Sequence, residues 1–168
     1  MYKIIRINKN IDRKTFDCGN ESLNQYLLKH ARQNDKNDIS RCYVAMCDKK
    51  PVGYYAFCYA KSSKNSLRPE DSRGLPGYPV GAVRVGRLAN DLSVRGKGVG
   101  SMLLKDCLRR IAYAASGEGP AFKFVIVDAK DQNAISFYQK YGFLPYRDNP
   151  FALFMPVATI LKSMQTDI

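Results

Sequence analysis

The stretch that most constrains the fold is Arg95-Gly96-Lys97-Gly98-Val99-Gly100-Ser101. Before it, Val83 to Leu92 reads as a strand. After it, Met102, Leu103, Cys107, Leu108, Ile111, Ala112 and Ala115 recur at helical spacing, up to a break at Ser116 to Pro120. Three glycines between a strand and a helix let backbone N–H groups approach a ligand closely, at the positive end of the helix dipole. That suits a pyrophosphate. A tight turn with no ligand would use the same glycines, so the turn alone leaves both readings open. It is not a Walker A loop, since no GxxxxGK[ST] is present, and its glycines do not make the dinucleotide pattern GxGxxG.

The other segments follow from periodicity and turn residues. Tyr2 to Ile7 reads as a strand, Phe16 to Asn20 as a capping turn, and Glu21 to Arg32 as a helix broken by polar Asn34 to Asp38. Cys42 to Cys47 and Val52 to Ala60 form a strand pair joined by Asp48 to Pro51. Lys61 to Ala82, with its prolines and glycines, reads as a long loop. Phe122 to Val127 is a short buried strand. Asn133 to Tyr141 is a helix ended by Gly142, Phe151 to Met155 a last strand and Pro156 to Met164 a terminal helix. This order predicts a single α/β (α+β) domain spanning residues 1–168, with a partly parallel sheet flanked by helices.

Composition narrows the class. The 168 residues suit one domain with its own core. No apolar run approaches 20 residues and the first residues make no signal peptide, so no membrane span is expected and a cytoplasmic setting is. Five cysteines without a CxxC pair argue for free thiols in a reducing compartment. The one histidine, His30, leaves no basis for a His-built metal site or a Ser-His-Asp triad. It lies on the rhythm Leu23, Tyr26, Leu27, His30, Ala31, which predicts a core position. The outlier is charge: 27 Lys and Arg against 15 Asp and Glu, a net +12 with no basic tail. A polyanionic partner on the folded surface is implied, but not which one.

Two motifs in order carry a family resemblance. Arg95-x-x-Gly98-x-Gly100 resembles the acetyl-CoA signature of the GNAT N-acetyltransferases. Val125-Ile126-Val127-Asp128-Ala129 and Asn133-Ala134-x-x-Phe137-Tyr138-x-x-x-Gly142-Phe143 resemble their next strand and their N…A..FY…GF segment. A closer resemblance spans nearly the whole chain. Phe16-x-Cys18-Gly19, Leu23-Asn24-x-Tyr26-Leu27, Ala31, Gln33, Gly53-Tyr54-Tyr55, Leu75-Pro76 and Arg87-Leu88-Ala89-x-Asp91 are similar to the acetyltransferase toxins of bacterial type II toxin–antitoxin pairs. Asn90 departs, standing where many of those proteins have Val.

The resemblance implies a mixed, mostly antiparallel sheet with a central splayed parallel pair. It implies acetyl transfer from acetyl-CoA to the free α-amine of an aminoacyl-tRNA, a ribbon-helix-helix antitoxin partner and a homodimer. It assigns cofactor contacts to Gly96, Lys97, Gly98, Val99, Gly100 and Ser101, with Arg95 supporting the pyrophosphate by charge. Leu88, Ala89 and Asn90 would lie beside the pantetheine, and Asn133 and Ser136 near the CoA arm. Asn133 could equally cap its helix. Tyr138 would donate a proton to the leaving thiolate. A phenol titrates near pH ~10 and a thiol near ~8.5, so the tyrosine is protonated at neutral pH. Tyr138 could also be an aromatic core residue; Tyr141, one turn later, is expected to pack. Asp91 and Asp128 are the available carboxylate bases, both expected at strand ends in structural hydrogen bonds. An α-amine, with pKa near ~7.7–8.0, needs no strong base.

For the RNA, the basic candidates are Lys29, Arg32 and Lys36 near the first helix, Lys61, Lys64, Arg68 and Arg73 on the long loop, and Arg84 and Arg87 on the strand. The alternative reading is a GNAT acetyltransferase acting on a small amine or a protein N-terminus. A net +12 suits cationic acceptors poorly.

Overall fold

Alternation and apolar runs become strands, and one run becomes something else. The structure, a computed structural model, describes residues 1–166. Its strands are β1 (Tyr2–Arg6), β2 (Arg41–Cys47), β3 (Lys50–Ser62), β4 (Val80–Asn90), β5 (Phe124–Asp128), β6 (Leu144–Pro145) and β7 (Ala152–Pro156). The helices are α1 (Glu21–Gln25), α2 (Ala31–Lys36), α3 (Pro69–Ser72), α4 (Val99–Ala115), α5 (Gln132–Lys140) and α6 (Val157–Gln165). The strands form a seven-stranded mixed sheet in the order β1-β2-β3-β4-β5-β7-β6. The β1–β2, β2–β3, β5–β7 and β6–β7 pairs are antiparallel, and β4–β5 is parallel.

Contacts divide the chain into two compact units, residues 1–58 with 86–109, and 59–85 with 110–166. β3, β4 and α4 each pass from one unit into the other without interruption.

In the first unit, β1 and β2 pair in register from Tyr2↔Cys47 to Arg6↔Tyr43. The β2–β3 turn is tighter than Asp48 to Pro51. It uses Asp48 at φ +53, and pairing resumes at Cys47↔Lys50. Ile7, Ile11, Phe16, Cys18, Leu27, Val44 and Tyr54 make the core. The helix expected over Glu21 to Arg32 differs in kind. Asn20 caps it by accepting from Leu23 N at 3.1 Å. After Gln25 it widens into a π-helical turn, Tyr26–His30, then resumes as α2 through Lys36, past the predicted break. A π-turn inserts a residue into the helical rhythm. Leu27 and Ala31 are fully buried, but His30 is rotated out to solvent, which overturns its core assignment. Carbonyls of the widened turn are taken by Arg13, whose Nη1 donates to Leu27 O and Leu28 O.

α4 lays Val99, Leu103, Leu104 and Cys107 into this unit. Gly53 of β3 allows its close approach. A Cβ there would lie 2.8 Å from Leu103 Cδ1, 3.1 Å from Ala89 O and 3.2 Å from Val99 Cγ1.

In the second unit, β5 is flanked by β4 and β7 and wholly buried from Phe124 to Val127. Leu67, Tyr146 and Phe154 pack with its Phe124 and Ile126. The expected loop from Lys61 to Ala82 is shorter. β3 extends to Ser62, β4 begins at Val80, and α3 lies between them. Ser62 and Tyr146 hydroxyls share a buried hydrogen bond at 2.8 Å, and Leu67 is 2 % exposed, so this connection is anchored. The two-residue β6 falls where no strand was expected.

Gly53→Ala should overpack the α4–β3–β4 contact and lower unfolding free energy by roughly 1–3 kcal/mol, read by urea denaturation; unchanged stability would mean α4 can shift without cost.

Candidate active site

The predicted residues fall into two groups, one in each unit. The first begins on β4. Its parallel pairing with β5 runs from Ala82↔Phe124 to Val85↔Val127. β4 then continues through Gly86 to Asn90, where no β5 pairing exists among the described residues. Ala89 is buried, and Leu88 and Asn90 are half-buried. Asp91 ends the strand, and a 3-10 turn, Leu92–Val94, leads to Arg95.

Gly96 and Gly98 hold φ of +76° and +80°. A Cβ on either would meet nothing within 4 Å, so the backbone here faces open space. The left-handed φ, not crowding, is what calls for glycine. Lys97 N donates back to Val94 O, and Met102 N donates to Gly98 O as the first helical bond. From Gly98 to Gly100 the backbone N–H groups precede any intrahelical acceptor, at the start of a 17-residue helix. Open space, exposed N–H donors and a helix dipole make a fitting cradle for a diphosphate. Arg95 and Lys97 are exposed beside it. The Arg95 guanidinium already donates, through Nη2, to Cys18 O at 3.3 Å.

Two features of this unit lay outside the sequence reading. A groove of about 320 Å³ is lined by Ile4, Gly98, Ser101, Lys105, Asp106 and Arg109. Lys105 and Arg109 follow Ser101 at helical spacing, the signal that could have placed them there. Asp91 is the other. It is 3 % exposed and accepts from Asp17 N, Ser93 N, Ser93 Oγ and Lys50 Nζ. Burial pushes this carboxyl up, but those donors outweigh burial and hold it below the usual carboxylate range. A carboxylate so surrounded is structural and is not available as a general base.

The second group is on α5. Asp131 caps this helix, accepting from Ala134 N at 2.8 Å, so the capping role open to Asn133 belongs to its neighbour. Asn133 and Ser136 are exposed. Tyr138 is 4 % exposed, with its ring edge-on to Phe143 at 5.6 Å and to Phe137 at 5.3 Å. Tyr141 is only half-buried. The expectation that Tyr141 is the packing residue is therefore reversed in degree, because the ring at Tyr138 is the deeper one. Gly142, at φ +92°, turns the chain so that Phe143 returns its N–H to Tyr138 O. Asp128 accepts from Arg84 Nη1 at 2.6 Å.

The basic candidates separate in the same way. Lys29, Arg32 and Lys36 are exposed in the first unit, and Lys61, Lys64 and Arg73 in the second. Four have intramolecular partners. Lys64 Nζ donates to Leu75 O at 3.4 Å, and three arginines are engaged as well. Arg68 pairs with Asp71 at 2.6 Å, Arg84 with Asp128, and Arg87 lies 4.4 Å over the Tyr26 ring.

Comparison with known proteins agrees with this geometry. Residues 38–145 match the model of the acetyltransferase (GNAT) domain. A Sinorhizobium fredii protein, "Probable toxin TacT", is 33% identical over 161 residues, covering 91% of this chain and 89% of its own. A "tRNA-acetylating toxin" of Mycobacterium tuberculosis is 33% identical over 138 residues, covering 82% and 81%. Among solved structures, AtaT complexed with acetyl-methionyl-tRNAfMet superposes with a TM-score of 0.87 at 27% identity, over 98% of this chain and 99% of that one. A Tyr-to-Phe mutant of AtaT bound to the C-terminus of the antitoxin AtaR and acetyl-CoA gives 0.83 at 28%, over 98% and 99%. The chain belongs to the GNAT acetyltransferase family. Within it, the chain is an acetyl-CoA-dependent N-acetyltransferase.

Gly98→Ala forces an L side chain into the left-handed region at roughly 1–2 kcal/mol. Acetyl-CoA affinity measured by calorimetry should fall about 10-fold with the fold retained; unchanged affinity would remove the turn from the phosphate site.

Proposed function

We propose that the protein is the toxin of a type II toxin–antitoxin pair, acetylating the α-amine of an aminoacyl-tRNA and so blocking translation. The observation that carries this is the near end-to-end likeness to toxins named for that chemistry, on a chain with net charge +12. In this reading the two units act as one catalytic domain, in the cytoplasm.

Acetyl-CoA supplies an activated acetyl thioester when bound. The N–H groups of Gly96, Gly98, Val99, Gly100 and Ser101 would hold its phosphates, with Arg95 and Lys97 adding charge. The β4 tail, Leu88, Ala89 and Asn90, lies past the residues paired with β5 among the described residues and would offer backbone groups to its amide arm. A backbone N–H aimed at a developing oxyanion is worth roughly 3–4 kcal/mol. Asn133 and Ser136, exposed on α5, would contact the outer arm. A phenol keeps its proton at neutral pH, and in this reading the Tyr138 hydroxyl would give one to the departing thiolate. Packing against Phe137 and Phe143 holds the ring, which supports that role. The acceptor α-amine is substantially neutral near pH ~8 without a base. That agrees with Asp91 and Asp128 both being engaged in other hydrogen bonds.

The exposed cations Lys29, Arg32, Lys36, Lys61, Lys64 and Arg73 are the first candidates for tRNA phosphates. Arg68, Arg84 and Arg87 would have to share or leave present partners. Exposed ion pairs are worth only ~0–1 kcal/mol, so the exchange is cheap for Arg68 and Arg84. A ribbon-helix-helix antitoxin and a homodimer complete the reading. The strongly exposed Tyr59, Tyr78 and Tyr113 are apolar surface that an interface would cover.

Tyr138→Phe keeps the aromatic packing and should lower acetyl transfer by roughly 10²–10⁴-fold with acetyl-CoA binding retained. Wild-type turnover in this variant would take Tyr138 out of the mechanism. Purified protein with labelled acetyl-CoA should mark charged tRNA and leave uncharged tRNA unlabelled. Labelling confined to small amines or to protein N-termini would instead establish the alternative GNAT reading.

A further inference from the structure

The cofactor turn is open in front, since neither Gly96 nor Gly98 would bring a Cβ within 4 Å of any other atom. A cradle that works by aimed backbone N–H groups has to be held to within about 0.5 Å. Its rigidity must therefore come from behind.

Behind it stands a corner of the chain some 74 residues earlier, Asp17-Cys18-Gly19. Asp17 reaches the turn's root twice. Its N–H donates to Asp91 Oδ2 at 2.9 Å, and its carbonyl accepts from Leu92 N at 2.8 Å. Cys18 O accepts from Arg95 Nη2. Gly19, at φ +77°, leaves space for both neighbours. A Cβ there would lie 3.2 Å from Leu92 Cδ2 and 3.6 Å from Arg95 Nη2. The corner is itself locked by one side chain. Asn24 accepts from Cys18 N through Oδ1 and donates from Nδ2 to Asp17 Oδ1, each at 2.9 Å, and Asp17 Oδ1 also accepts from Gly19 N at 2.8 Å. Hydrogen bonds from Gly19 N and Asn24 keep the Asp17 carboxyl below its usual range, so it stays an acceptor through neutral pH.

We propose that Asp17, Gly19 and Asn24 form a clasp, closed on Asp91, Leu92 and Arg95, that positions the phosphate-binding turn. They are positioning residues for cofactor affinity. Arg95 belongs to the clasp as much as to the ligand, because its guanidinium spends one donor on Cys18 O. Asp17 and Gly19 are exposed, so their hydrogen bonds add little burial and their leverage falls on the turn's geometry. The inference rests on the acetyl-CoA reading of that turn.

The test is calorimetric acetyl-CoA affinity together with steady-state kinetics on the full chain. Asp17→Ala, Asn24→Ala and Gly19→Ala should each weaken acetyl-CoA binding and raise its KM by about 10-fold. The turnover number at saturating acetyl-CoA should stay within about 2-fold of wild type, since the reacting groups are untouched. Asp17→Asn keeps an acceptor oxygen for Gly19 N and Asn24 and should restore wild-type affinity. With acetyl-pantetheine, which lacks the phosphates, variants and wild type should behave alike. If one variant fails to fold, the other two carry the same comparison. Wild-type protein that binds no acetyl-CoA would overturn the reading of the turn itself. Wild-type protein that binds, beside variants with unchanged affinity or with a fall in turnover alone, would overturn the clasp.

Discussion

A buried carboxylate organises the end of β4. Asp91 is almost without solvent, and a buried charge persists only where donors replace its water. Here the donors come from three separate places, Asp17, Lys50 and Ser93, and each must be drawn in for the charge to remain. Meeting that demand gathers the N-terminal corner, the β2–β3 turn and the segment after β4 at one point. The strand gives way to the glycine turn at that point. The electrostatic requirement of one side chain thus sets the geometry from which that turn departs.

In the second unit the order comes from packing. Tyr138 is held by Phe137 and Phe143 on a helix whose start is capped by Asp131 and whose end is turned by Gly142. A buried ring held edge-on to two others has few rotamers to lose, so its hydroxyl has a fixed place. Packing therefore does not exclude the proton-donating role proposed for Tyr138. The deeper ring is the one whose position is best defined.

The glycine turn was legible because its signal is local. A strand, glycines two apart and a helix fall within about twenty residues, and the left-handed φ of Gly96 and Gly98 is what such spacing encodes. The long helix and the β5 run were legible for the same reason, each from its own periodicity. The first helix misled because a π-turn changes the period in mid-segment. Leu23, Leu27 and Ala31 kept the expected rhythm, but His30 was turned outward. The basic candidates misled differently. Arg84 meets Asp128, 44 residues on, a carboxylate that only folding brings near, whereas Arg68 meets Asp71 just three residues away, a partner the sequence already held.

The sequence alone determined the elements and the family resemblance: a glycine turn between a strand and a helix, a tyrosine on the next helix, and an excess of positive charge. Each of these is written in residues close together or in composition. Tertiary structure decided which groups are committed elsewhere. It made Asp91 a scaffold instead of a base, put Arg95 in the hold of Cys18, gave the helix cap to Asp131, and left Lys29, Arg32 and Lys36 exposed. The physical reason is that a hydrogen bond or an ion pair depends on distance in space. Asp17 and Asp91 are 74 residues apart along the chain but 2.9 Å apart, N to Oδ2, in the fold.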